Sequence, residues 1–274
     1  GRLSIDSSQI IATTVAADAP AGVDIQVARE VSLTGGTFIL SDTFGGGRGA
    51  DIKIEAADLQ MLGSSTIIVA TEGDGNSGNL SINTGTLSMA ENSTLQSINA
   101  SPSFGQGGGD ITIVADDSAR ISGLGTGIFS DTIFPGNAKG GKVTFTGASL
   151  TLEDSGAIAT RSFFNGPGGD VNLDLGNLSV LSGGNINSQA LSSGAGGNIA
   201  VKVRDAAIIS GQGSDGSPSS IISQGTTDGQ AGGISLDVGS LLVTDSGAIK
   251  SGFLLLEGGN ISVNADSITV SNRG

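Results

Sequence analysis

A unit of about 30 residues recurs along this chain of 274 residues, and this repeat limits the possible folds more than any other feature. The clearest copy runs from Gly168 to Ala195, and Gly196-Gly197-Asn198 then begins the next one. The longest interval contains a Gly- and Ser-rich insert at 211–219. Because stacked repeats contact mainly their neighbours and accept insertions in their turns, the pattern predicts a single repeat domain over residues 1–274. The first apolar residue of successive units lies at Val23, Ile52, Leu80, Ile111, Val143, Val171, Ile199, Ile234 and Ile261.

Each unit contains three short apolar segments separated by polar or glycine-rich residues. In the clearest copy they are Val171-Leu173-Leu175, Leu178-Val180 and Ile186-Ser188. Alternation of apolar and polar residues is typical of strands with one buried face. The connections lack the turn chemistry for hairpins, so we expect each strand to pair in parallel with its equivalent in the next unit. The sequence therefore predicts an all-β, right-handed parallel β-helix (β-solenoid) with three short strands per coil and about nine coils of ~28–32 residues.

The third segment of most units pairs an aliphatic residue with a hydroxyl residue two positions later. Because the two share a face, we expect the hydroxyl to point inward and to bond to the backbone or to neighbouring hydroxyls. An outward ice-binding array is the less favoured alternative, since that function needs a flat face of paired threonines. The second unit, SSTIIVATEG, has an ambiguous register here. The hydroxyl residues are Ser41, Ser97, Ser130, Thr160, Ser188, Ser223 and Ser251.

Glycine pairs precede the first segment at 108–109, 140–141, 168–169, 196–197 and 258–259. We expect them to supply a positive φ at a sharp corner and to let neighbouring coils approach closely. An acidic or amide residue follows the corner in most units, with Lys142 as an exception. The favoured interpretation is that these side chains cap backbone amides. The alternative is a ladder of calcium ligands, although calcium-binding Gly-Gly-x-Gly-x-Asp repeats recur about every nine residues. The column contains Asp51, Asn79, Asp110, Asp170, Asn198 and Asn260.

Acidic residues are the candidates for catalysis, because many parallel β-helices cleave polysaccharides. The candidates are Glu153-Asp154, Asp116-Asp117 and Asp205. Glycoside hydrolysis needs two carboxylates across a cleft, and the short turns predicted here build none. The chain has no His, Cys, Trp or Tyr, which removes the common nucleophile–base pairs and most aromatic sugar platforms. We therefore predict that the chain is not an enzyme and has no catalytic, cofactor-binding or metal-binding residues. A polysaccharide-binding or polysaccharide-cleaving β-helix is the alternative.

Phenylalanines in the turns after the third segment are an unusual surface signal. Two interpretations stay open: a rim that folds over the coil, or a contact surface for a partner or another filament. The residues are Phe44, Phe104, Phe134, Phe163 and Phe164.

The net charge of −14 argues against nucleic acid and anionic membranes as partners, because both attract basic surfaces. No run of about 18 apolar residues is present, so membrane insertion is not expected. Both ends of the sequence fall within a coil, at Leu3–Ile11 and at Ile268–Val270. We therefore expect a segment of a longer stack, whose ends pair with the rest of a parent chain or with neighbouring copies.

Two units carry a resemblance to a known family: GGDITIVADDSARISGLGTGIFSDT and GGDVNLDLGNLSVLSGGNINSQALSSGAGGNI. Their order of motifs resembles the repeat, or shaft, region of filamentous-haemagglutinin-like exoproteins of two-partner secretion, in the Gly/Asn-rich form common in cyanobacteria. The resemblance extends over all of the units. It implies an extracellular or bacterial cell-surface protein used in adhesion, aggregation or fibre formation. No functional residue carries over, because the shaft of this family has none defined.

On this basis we expect the chain to be a structural shaft of an extracellular bacterial adhesin or surface fibre. A host or neighbouring-cell surface, or a glycan, is the partner that the resemblance implies. No cofactor is expected, and calcium is the one ion that the Asp/Asn column would suit. A homopolymeric filament whose subunits stack end to end is a further alternative.

Overall fold

The computed structural model of the chain describes residues 1–15, 22–73, 75, 77–101, 107–134, 137–226, 229–252 and 258–274. These residues form nineteen strands and no helix, which confirms the all-β prediction. In particular, the described ranges hold no helix long and apolar enough to cross a membrane. The strands form one ten-stranded and one nine-stranded sheet, in which every neighbouring pair is parallel.

The ten-stranded sheet, here called the long-strand sheet, contains the odd-numbered strands. They are β1 (Arg2–Asp6), β3 (Val23–Thr34), β5 (Ile52–Met61), β7 (Leu80–Met89), β9 (Ile111–Ser122), β11 (Val143–Glu153), β13 (Val171–Leu181), β15 (Ile199–Ser210), β17 (Ile234–Thr244) and β19 (Ile261–Val270).

The nine-stranded sheet, here called the short-strand sheet, contains the even-numbered strands. They are β2 (Gln9–Thr14), β4 (Phe38–Thr43), β6 (Thr66–Thr71), β8 (Thr94–Asn99), β10 (Gly127–Thr132), β12 (Ala157–Ser162), β14 (Asn185–Ala190), β16 (Ser220–Gly225) and β18 (Ala248–Ser251).

Equivalent residues of successive units lie side by side, so the fold is a β-solenoid of about nine coils, as predicted. Val143 is the register partner of Val171, and Val171 is the partner of Ile199. Each long strand from β3 onward begins at the first apolar residue predicted for its unit. The inward residues form one continuous aliphatic core between the two sheets, and among the described residues Phe145 is the one phenylalanine that is fully buried in it. Burial of this apolar column is the main term that stabilises the stack.

The strand count per coil differs from the prediction of three short strands. From β3 onward, the first two predicted segments lie in one long strand, and only the third forms a strand of its own. The junction of the first two segments is here called the corner. Inward residues flanking the corner are three positions apart in β13 (Leu175 and Leu178) and four apart in β15 (Val203 and Ala207). The long-strand sheet has five register shifts. In each, a strand whose inward residues are four positions apart at the corner pairs with a strand in which they are three positions apart. The extra residue is therefore accommodated as a β-bulge, and the ladder continues past the corner.

The glycine pairs before the long strands have a different role from the one predicted. None of those at 108–109, 140–141, 168–169, 196–197 and 258–259 has a positive φ, so that part of the prediction is wrong. Their role in close approach is confirmed: a Cβ at Gly169 would overlap the carbonyl oxygen of Gly141, and one at Gly197 would overlap that of Gly169. Positive φ values occur instead in the turns between long and short strands, for example at Asp154 (51°) and Ser155 (71°). Glycine is thus required before the long strands because the neighbouring coil leaves no room for a Cβ.

Candidate functional site

The hydroxyl column lies inside the coil, as predicted, and from β10 to β18 it connects each short strand to a glycine pair. Ser188 Oγ donates to the carbonyl of Gly169 (2.7 Å) and accepts from the amide of Gly197 (2.8 Å). Ser223 repeats the pattern one coil later, donating to the carbonyl of Gly197 at 2.8 Å. Both side chains are fully buried. The column therefore bonds to backbone and offers no outward array for ice.

The second unit, whose register was ambiguous, has Val69 in place of the hydroxyl. Ser97 follows Val69 in the column, and its buried Oγ has no hydrogen-bond partner within the described part of the chain. The hydroxyl column is thus interrupted at two successive coils in the first half of the stack.

The Asp/Asn column caps backbone amides, which confirms the favoured interpretation. From Asp51 to Asn198, each side-chain oxygen of the column accepts from the amide of the equivalent residue in the next coil; Asp51 accepts from Asn79 (2.7 Å), and Asp110 accepts from Lys142 (2.9 Å). Burial raises the pKa of Asp170, but bonds from Lys139 and from the Asn198 amide outweigh it and leave that pKa lowered. Across the described residues, no three acidic side chains form a group that could hold a metal ion.

The structure does not bring the acidic candidates together across a cleft. Glu153 pairs with Arg120, and Asp154 accepts from the hydroxyl of Ser122 (3.1 Å) at the turn that follows β11. Asp116-Asp117 and Asp205 lie at the corners of β9 and β15, which are three strands apart in the long-strand sheet. That spacing corresponds to roughly 14 Å, beyond the carboxylate separations of glycosidases.

Shallow depressions, here together called the corner groove, lie in two separate stretches on the outer side of the corner of the long strands. Its first stretch has a volume of about 520 Å³ and runs from β3 to β9, with Gln26, Glu55 and Asn83 on one side and Ala57 and Gly85 on its floor. Its second stretch, of about 240 Å³, crosses β15, β17 and β19. The small floor residues make the groove, because larger side chains at the corner would fill it.

Beside the second stretch, the outer face of the long strands carries amide, hydroxyl and charged side chains. Lys202 lies between Asp174 and Asp237 on the neighbouring strands, so opposite charges alternate along the coil axis. Asn264 continues this row and donates to Asp237 at 2.7 Å. The surface is open, with a volume of about 390 Å³, and its polar side chains stand beside a larger apolar lining that includes Leu173 and Leu236.

The phenylalanines form an exposed rim beside the short strands. Phe44, Phe134 and Phe163 are exposed and Phe164 is half-buried, whereas Phe104 lies outside the described residues. The residue after a short strand donates its amide to a carbonyl of the preceding coil, so the parallel pairing continues for one more residue. Ile133, Phe163 and Leu191 therefore lie side by side on successive coils. Sequence reasoning missed Ile133 and Leu191, although their position directly after the third segment was visible.

A charged and aromatic cluster on the short-strand sheet was also missed. Arg161 makes a two-pronged ion pair with Asp131, at 2.9 and 2.6 Å. Its guanidinium lies 4.8 Å from the ring centre of Phe129 and 5.6 Å from that of Phe163. Burial, the largest influence, raises the pKa of Asp131, and Arg161 opposes it. The contacts of Arg161 with Asp131 and Phe129 cross between coils, so the sequence shows them only once the register between β10 and β12 is known.

Comparison with protein families, curated proteins and solved structures finds no match to this chain. A function for it is therefore argued from the fold and from the surfaces described above.

Proposed function

We propose that this chain is a structural shaft of an extracellular bacterial adhesin or surface fibre, without catalytic activity. One observation carries the proposal: both sheets run along the coil axis without interruption, from β1 to β19 and from β2 to β18. The nine steps between β1 and β19 correspond to a rod of roughly 43 Å. We take the coil to be right-handed, because parallel crossovers almost always are, and regard each long strand as two strands of a three-sided coil joined at the corner.

The shaft proposal predicts a fixed distance between the ends. Ser4 and Thr269 are exposed and lie in one register column of the long-strand sheet. The chain contains no cysteine, so the double variant Ser4→Cys/Thr269→Cys accepts a fluorophore pair at these positions alone. Single-molecule energy transfer should give one narrow distance near 43 Å plus the dye linkers. A broad distribution would show a flexible chain that cannot act as a rigid spacer.

Removing a whole coil tests the same proposal against a matched control. Deletion of residues 143–170 joins Lys142 to Val171, which already occupies the position equivalent to Val143. The chain should fold and the labelled distance should shorten by about 5 Å. Deletion of only residues 143–156 removes half a coil, puts the following strands out of register, and should prevent cooperative folding. Equal behaviour of the two deletions would contradict the modular shaft.

Polysaccharide binding is the second candidate, and the corner groove is the observation that favours it. The groove and the adjoining outer face present hydroxyl, amide and charged groups over several coils. A panel of neutral and uronic-acid polymers, with and without calcium, tests binding and cleavage together. Lys202→Gln should weaken binding and Lys250→Gln, on the other sheet, should not. A chain that binds and cleaves none of the polymers would contradict this candidate.

End-to-end assembly is the third candidate. Strand β19 leaves Ile261, Val263, Ile268 and Val270 between 36% and 59% exposed. Open parallel edges with apolar side chains pair readily with further strands, from a longer chain or from another copy. Electron microscopy of the purified chain distinguishes single rods from long filaments.

A further inference from the structure

We infer that the outer face of the short-strand sheet is a lateral interface, and that its partner is the same face of a second copy of this chain. The inference is independent of the shaft proposal, which concerns the length and rigidity of one rod. It rests on the charge, the regularity and the size of this face.

The short-strand sheet is electrically neutral on a strongly acidic protein. The charged residues in its nine strands are Asp42, Asp131, Arg161 and Lys250, two acidic and two basic. The whole net charge of −14 is therefore carried by the long-strand sheet and by the turns. Two copies repel each other in most orientations, and the short-strand sheet is the broad face on which this repulsion is weakest.

The centre of this face is largely apolar. One register column of outward residues runs along the coil axis and contains the apolar Leu40, Ile68, Phe129, Ala159 and Ile222 together with Gln96, Asn187 and Lys250. Ile11 begins the column and is 52% exposed. Depletion of charge with an apolar and aromatic centre is the composition that marks the core of protein interfaces.

The face is also regular and large enough for a stable dimer. All pairings in the short-strand sheet keep one register, whereas the long-strand sheet has five shifts. Nine strands of mostly six residues cover about 20 Å by about 40 Å, or roughly 800 Å². A standard interface buries about 800 Å² on each partner, and sheets pack face to face through interdigitated side chains. A twofold axis lets one self-complementary face serve both copies.

Sedimentation velocity over a concentration series tests the inference, with two pairs of matched variants. Gln96→Glu adds a carboxylate to the face, and Gln60→Glu adds the same charge to the long-strand sheet. Ile222→Lys and Ile208→Lys form the second pair, because both isoleucines are half-buried outward residues, one on each sheet. Circular dichroism checks that all four variants fold.

The native chain should form dimers, and added salt should strengthen them by screening the acidic surfaces. Gln96→Glu and Ile222→Lys should each raise the dimer dissociation constant by at least about tenfold, and their controls should change it little. Small-angle scattering should show a dimer as long as the monomer and about twice as thick. A chain that stays monomeric, a dimer of doubled length, or equal effects of variants and controls would overturn the inference.

Discussion

Ser188 and Gly169 are joined by a 2.7 Å hydrogen bond that connects a short strand to the glycine pair of its own coil. The same hydroxyl accepts from the Gly197 amide of the next coil. One buried side chain therefore joins two successive coils at a point where their backbones lie too close for a Cβ. This explains why a polar residue persists in an otherwise aliphatic interior.

Ser188→Ala should destabilise the chain by about 1–3 kcal/mol, because the buried amide of Gly197 loses its acceptor. Urea unfolding measures the change. Ser179→Ala, on the outer face of β13, is the control and should alter the free energy of unfolding by less than about 0.5 kcal/mol. Equal losses at the two positions would show that the inward bond does not contribute.

Ile113→Asp should break the interface between two coils. Ile113 is fully buried and lies between Ile82 and Phe145 in the core, so a carboxylate there would be unpaired. We expect a loss of at least about 3 kcal/mol and faster hydrogen exchange in β7, β9 and β11. Thr112→Asp, one residue away and exposed, should leave exchange unchanged. Slow hydrogen exchange of the amides around position 113 in the Ile113→Asp variant would contradict the placement of Ile113 in the core.

Ser246→Gly should stabilise the chain by about 0.5–1 kcal/mol. Ser246 has a φ of 72°, and the equivalent turn of an earlier coil has Gly36 at 76°. A left-handed backbone costs energy for any residue with a Cβ. Ser235→Gly, at the second residue of strand β17, should instead lower the stability, because glycine weakens a strand. Thermal unfolding of both variants measures the difference.

Asp42→Asn should change how stability depends on pH. Burial raises the pKa of Asp42, its bond with the Thr43 amide lowers it, and the nearby Glu72 raises it further. The folded chain then holds the proton more tightly than the unfolded chain. Near pH 7 the variant should be more stable than the native chain, and this advantage should shrink as the pH falls through the folded-state pKa. It should level off below the unfolded-state pKa of about 3.9.

Thermal unfolding from pH 7 to pH 3 measures this difference. Asp24→Asn, an exposed substitution on β3, controls for the loss of one negative charge. A constant offset between Asp42→Asn and the native chain across the range would contradict the role of burial.

The repeat predicted the stack well because burial enforces it. Each inward aliphatic residue must meet its equivalent in the next coil, so the column through Val143, Val171 and Ile199 follows from spacing alone. The hydroxyl and Asp/Asn columns were predictable for the same reason, since each side chain meets a repeating backbone environment. The ambiguous register at Ile67 and Ile68 shows the limit, because apolar residues on both faces remove the alternation that marks the inside.

Other features depend on geometry that alternation does not encode. A glycine pair is compatible with either a positive φ or close packing, and only the distance between the coils at Gly169 and Gly141 decides between them. The sequence pattern predicted two separate strands on either side of the corner, because the spacing between inward residues changes there from two positions to three or four. The Arg161–Asp131 pair and the neutral short-strand face depend on which outward residues meet across coils.

The register between coils is the claim on which the account depends, and engineered disulfides test it most directly. The chain has no cysteine, and outward residues Asn172 and Ala200 are partners on β13 and β15, with Cα atoms within disulfide reach. Ser235, the partner of Ala200 on β17, is two strands from Asn172. Mild oxidation followed by mass spectrometry should cross-link Asn172→Cys/Ala200→Cys readily and leave Asn172→Cys/Ser235→Cys reduced. Equal cross-linking of the two pairs, or none in the first, would contradict the stack.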